Sequence, residues 1–182
     1  MTIVVEVKQL EPNNGDRELA HDAVEGGSAS CWVDMGRARQ SILDGVKQLR
    51  AHAKGRHPAL VVLYEVVDLL DYLGADSIAQ CMYGPERVHV AVPHAPDAEP
   101  WVLGASYGGG RVVTASHNTT LSAVAVLRRA GDAETLSVFH NAYAAIPLNP
   151  DQFQLDGVRH FVWQARDDRH LPYWVEVTSP AA

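Results

Sequence analysis

Cysteine is scarce in this chain: Cys31 and Cys81 are the two among 182 residues. They lie far apart and lack the partner spacing of a zinc site, so reduced structural thiols are expected, with a disulfide between them left open. Long apolar runs are missing as well. No stretch reaches the roughly 18 apolar residues of a membrane-spanning helix. Residues 2–10 are too short and too charged for a signal peptide's hydrophobic region, and no basic segment precedes them. A cytoplasmic protein with no membrane partner is therefore expected. Positive charge is also in short supply, since 15 Lys and Arg face 22 Asp and Glu for a net −7. That balance argues against a general nucleic-acid coat, because affinity for DNA rests on neutralising phosphates. Internal repeats and low-complexity tracts are absent from the sequence.

What is present begins with residues 2–10, a run of strand-forming residues interrupted by Glu6 and Lys8. Side chains alternate along a strand, so Val4, Glu6 and Lys8 share one face while Ile3, Val5 and Val7 share the other. Two charges on a half-buried sheet are costly unless paired, solvated or bound to a metal. A solvated edge strand and a metal-dependent site both account for the tripeptide. The residues that follow decide how far each reading goes.

After a Gly/Asn/Asp-rich loop over residues 12–30, Ile42, Val46, Leu49 and Ala53 recur at helical spacing, joined by Met35, Ala38 and Leu43. Asp34 suits an N-cap and Gly55 a stop. Residues 59–64 form a continuous apolar run of strand length, as in a parallel strand buried on both faces. Strand, amphipathic helix and buried strand make a βαβ unit, expected to be right-handed. The segment from Asp34 to Arg56 carries six basic residues (Arg37, Arg39, Lys47, Arg50, Lys54, Arg56) against two aspartates, a local excess of four. The rest of the chain therefore carries −11. Either this is a solvated helix face, or it places Arg37, Gln40, Lys47, Gln48 and Arg50 near a phosphate.

A strand bearing Glu-x-Lys, then such a helix, then a second parallel strand, resembles the second half of the PD-(D/E)XK nuclease core. Stretches around residues 118–127 and 136–144 resemble uncharacterised bacterial proteins with that core, so the likeness runs along most of the chain. Its mechanistic content lies in residues 1–66. In that superfamily the Glu and an upstream Asp hold Mg²⁺, and the Lys positions or activates the attacking water. The resemblance implies Glu6 as metal ligand, Lys8 orienting the water and Gln48 contacting phosphate, with Arg37, Gln40, Lys47 and Arg50 binding substrate. One departure stands out: Met1 lies five residues before Glu6, so the upstream Asp is expected to be missing. Asp34 and Asp44 are the nearest acidic helix residues, but the family pattern does not put the ligand there. A homodimer is the remaining route to a second carboxylate.

Further along, residues 76–83 read as a short helix with Asp76 as N-cap and Gly84 as stop, and Asp68 and Asp71 precede it. Residues 87–92 alternate as a strand, and residues 93–100, with three prolines, form a loop. Strands are expected over 101–107 and 111–115, joined by a hairpin at Gly108-Gly109-Gly110. A phosphate-cradling role for that triplet would need a helix after it, and Arg111 to Thr114 are β-like. Strands over 121–128, 134–140, 158–165 and 173–177 follow, with Trp163 and Trp174 covering the sheet. His117-Asn118 and His140-Asn141 share residue types with ββα-metal nucleases, and His89 with His94 suggests zinc, but none has strong ligand spacing. His140, at a strand end, also suits a loop-carbonyl donor. Ser106, Ser116 and Ser122 lack a nucleophile-elbow context, leaving Ser-His-Asp chemistry without support.

The sequence thus predicts an α/β (α+β) protein with a mixed sheet, in a single domain over residues 1–182. Residues 1–92 would form a nuclease-like front and 101–178 a β-rich portion packed on it. The expected function is Mg²⁺-dependent action on nucleic-acid phosphodiesters, incomplete or inactive as this chain. The alternative is a non-catalytic binding or assembly module that keeps a degenerate nuclease fold.

Overall fold

The computed structural model describes residues 2–11, 35–65, 73–94, 98–130, 133–165 and 171–177. Strand β1 (Val4–Leu10) leads to helix α1 (Met35–Ala53), strand β2 (Ala59–Glu65) and helix α2 (Ala75–Tyr83). Strands β3 (Glu86–Ala91), β4 (Trp101–Tyr107), β5 (Ala123–Ala130) and β6 (Ala133–His140) follow. A 3-10 turn at Pro150–Gln152 precedes β7 (Val158–Gln164) and β8 (Tyr173–Val177). Six strands form one sheet in the order β1-β2-β5-β6-β7-β8, while β3 and β4 pair separately. The pairs β1/β2, β2/β5 and β6/β7 are parallel, and β5/β6 and β7/β8 antiparallel. The mixed α/β architecture read from the sequence is present.

Strand β2 is the hub. Flanked by β1 and β5, it buries Ala59, Leu60, Val61, Val62 and Leu63 almost completely, as an apolar run covered on both faces requires. On one side Ile42, Val46, Leu49 and Ala53 of α1 meet Val61 and Leu63, with Ile78 and Met82 of α2 beside them. Burying each large aliphatic chain in that layer contributes about 1.5–3 kcal/mol. Gly45 lets α1 come close: a Cβ there would lie 2.8 Å from Val61 Cγ2. The helix then ends at two left-handed residues, Lys54 (φ 47°) and Gly55 (φ 64°).

Several expectations need revision. Helix α2 is capped by Gly74, and Asp76 sits within its first turn, where a carboxylate favours the positive helix end without capping it. Gly84 does stop it, with φ 93°. Residues 111–115 are not a strand. Val112 and Val113 both donate their N–H to the Met82 carbonyl at 3.0 Å and are fully buried. The glycine triplet packs under the end of α2, where a Cβ on Gly84 would meet Gly108 O at 2.8 Å. β4 instead pairs with β3 across the proline-rich loop. The expectations for Cys31, Asp34, Asp68, Asp71 and the 12–30 loop fall outside the described residues, while Cys81 is a buried free thiol.

Candidate functional site

The register Glu6↔Val61 and Lys8↔Leu63 puts both charged residues on the sheet face that α1 covers, since aligned residues of neighbouring strands point the same way. Val5 and Val7, on the other face, are 48% and 58% exposed. The charged face is therefore the more enclosed one, and α1 supplies the partners that make this tolerable. Lys8 Nζ lies 3.0 Å from Glu6 Oε1 and donates to Gln48 Oε1 at 2.5 Å. The Lys8 and Glu6 side chains remain 22% and 29% exposed.

Gln48 belongs to a polar stripe along α1, because residues four apart stack on one helix face. One turn earlier, Asp44 Oδ1 accepts from Lys47 Nζ at 2.8 Å and from Gln40 Nε2 at 3.0 Å. Those two hydrogen bonds hold the Asp44 carboxyl below its ordinary value, and the charge of Lys8 adds to the effect. The Lys8 charge thus acts on two carboxylates, Glu6 on β1 and Asp44 on α1. The structure brings together Glu6, Lys8 and Gln48, with Gln40 and Lys47 on the same stripe. Arg37 is apart: its Nη1 donates to the Glu11 carbonyl at 3.0 Å, tying the start of α1 to the end of β1. Arg50 turns elsewhere and donates to Asn118 Oδ1.

Magnesium is usually held by one or two carboxylates completed by water and phosphate oxygens. Glu6 offers one partly exposed carboxylate, and that of Asp44 is shared by Lys47 and Gln40. Among the described residues no group of three His, Cys, Asp or Glu side chains converges on one point. The donors present fit an ion completed by water and phosphate on Glu6, not a closed protein cage. No protein-family model, curated protein or solved structure matches this chain.

Two further polar centres involve residues the sequence singled out, Asn118 and His140, with partners it did not reveal. Asn118 is buried with φ 56°; its Nδ2 donates to the Val112 carbonyl at 2.5 Å while its Oδ1 receives Arg50. It pins the 108–118 loop to α1. The second is a histidine pair, His140 Nε2 to His160 Nδ1 at 2.9 Å, with His160 Nε2 2.8 Å from the Phe153 carbonyl. The Phe153 carbonyl needs a donor, so a neutral His160 carries its proton on Nε2. Burial, then the charge His160 would carry, push the His140 pKa down, and a backbone hydrogen bond at Leu148 offsets part of this. The strand-end position of His140 was readable; its partner 20 residues away was not. His89 binds Ser106 Oγ across the β3–β4 ribbon at 2.8 Å. No helix among the described residues is long and apolar enough to cross a membrane.

Proposed function

We propose that this chain is a nuclease-like protein acting on nucleic-acid phosphodiesters through Glu6, Lys8 and Gln48. The observation that carries the reading is the Lys8 ammonium, held jointly by the Glu6 carboxylate on β1 and the Gln48 amide on α1. A lysine fixed by two partners on different elements is oriented before substrate arrives, which lowers the cost of reaching a transition state. Because Gln48 Oε1 is taken by Lys8, the donor left on that amide is its Nε2 group, suited to a phosphate oxygen. With Gln48 and Glu6 each taking one N–H, Lys8 keeps a third donor, for the attacking water or for the charge that builds on phosphorus. Lys47, largely exposed beside Asp44, adds a cation at the rim. Glu6 would hold magnesium, which when bound acts as a Lewis acid on the phosphoryl group and lowers the pKa of coordinated water.

The test is cleavage of end-labelled DNA and RNA oligonucleotides, with Mg²⁺ or EDTA, by wild type and Lys8→Ala. Magnesium-dependent cleavage by wild type, reduced on the order of a hundredfold in the variant, is the expected result. Equal cleavage by both would remove the proposal. A second reading, a non-catalytic binding module with the same framework, draws on the charge balance of the stripe, where Glu6 and Asp44 offset Lys8 and Lys47. It predicts retention of oligonucleotide by wild type without cleavage, weakened by Lys8→Ala.

A further inference from the structure

Away from β1, α2, the β3–β4 ribbon and the ends of β7 and β8 surround an open cavity of about 910 Å³. That volume lies in the range of small-ligand pockets, roughly 300–1,000 Å³. Its walls include Tyr107, Trp163, Tyr173 and Trp174, and its rim carries Asp76 and Glu86. No lysine, arginine or histidine lines it among the described residues.

The rings are held in place before any ligand arrives. Trp163 and Trp174 meet edge to face at 4.4 Å and 64°, and Tyr107 leans on Trp163 at 6.0 Å. Trp163 stacks in turn on buried Tyr83 at 4.5 Å. The polar atoms of two wall residues are already committed: Trp174 Nε1 donates to the Ala75 carbonyl at 3.0 Å, and the Tyr107 hydroxyl to that of Pro172 at 3.3 Å. What Trp174 and Tyr107 have left to offer a guest is π surface, which carries a negative quadrupole and attracts cations. The Glu86 charge acts on the same space. It helps push the Tyr107 phenol up to about 12, second to burial. Neither Asp76 nor Glu86 forms an ion pair among the described residues.

We propose that this cavity binds a small organic ammonium ion, its alkylated nitrogen against the Trp163, Trp174 and Tyr107 rings and its charge balanced by Asp76 and Glu86. A neutral guest would gain nothing from the charge of the two carboxylates. An anion would be repelled by carboxylates and ring faces alike. A bare metal ion would find few oxygen donors among aromatic walls. This site shares no residue with the Glu6–Lys8–Gln48 group and stands or falls independently of it.

The test is tryptophan fluorescence of the full chain titrated with choline and, in parallel, with its neutral carbon analogue 3,3-dimethyl-1-butanol, at constant ionic strength. Choline should give a saturable change that the alcohol matches only at roughly tenfold or greater concentration. The surface variant Asp76→Asn/Glu86→Gln, which leaves the rings untouched, should weaken choline by about tenfold and leave the alcohol unchanged. Trp163→Leu should abolish the response, with circular dichroism reporting whether the fold survives. No saturable response to choline, equal response to both compounds, or unchanged binding by the double variant would each overturn the assignment.

Discussion

Lys8 donates to two partners from a side chain that is 22% exposed, so its contribution to folding and to function should separate. An ion pair that keeps part of its surface in solvent stabilises by about 1 kcal/mol or less. Urea denaturation of Lys8→Ala should therefore give a stability within about 1 kcal/mol of wild type, while phosphodiester chemistry collapses. His140 behaves in the opposite way. Its imidazole is held neutral by burial, with the pKa pushed down to about 4. A depressed value means that protons bind the unfolded chain more readily. The stability the neutral ring contributes is thus complete above the ordinary imidazole pKa of about 6.5 and is lost as pH falls from there towards 4. Urea midpoints should drop between about pH 7 and pH 5, and His140→Gln should flatten that dependence; an unchanged slope would contradict it. At this scale the shared face of Glu6 and Lys8 was legible, because strand periodicity alone determines it. The His140–His160 contact was not, since it depends on the β6/β7 register Val138↔His160, which no local pattern encodes.

Helix α1 fixes the site by how closely it lies on β2. A methyl group at Gly45 would press within 2.8 Å of Val61 Cγ2, pushing the helix outward and carrying Gln48 away from Lys8. Gly45→Ala should thus cost about 1–3 kcal/mol by overpacking, despite the gain of about 1 kcal/mol in helix propensity. Val61→Ala in the same chain should recover part of the loss. Denaturation of the two single variants and the double one checks this, and an additive pair would refute the contact. The existence of α1 and its apolar stripe could be read from the spacing of Ile42, Val46, Leu49 and Ala53. Its rotation over β1 could not, because a single close contact at Gly45 sets it. The 111–115 segment shows the reverse failure. Val112 and Val113 look like strand residues, yet both N–H groups go to Met82, a partner available once α2 ends at Gly84.

Across the whole molecule, front and back halves are continuous in one sheet through the parallel β2/β5 pair. The site stripe is nearly neutral within a chain of net charge −7. Few phosphates would be neutralised, so oligonucleotide affinity should fall only gently with salt, with a log–log slope near −2 for contacts by about two cations. A slope several times steeper would place the interface elsewhere. The central claim is that Lys8 and Gln48 act as one unit with Glu6 in phosphodiester cleavage. The most direct measurement is a double-mutant cycle in kcat/KM for Mg²⁺-dependent oligonucleotide cleavage by wild type, Lys8→Ala, Gln48→Ala and the double variant. The two losses should be strongly non-additive, with the double variant hardly worse than Lys8→Ala alone. Fully additive losses, or a Lys8→Ala variant as active as wild type, would contradict the account.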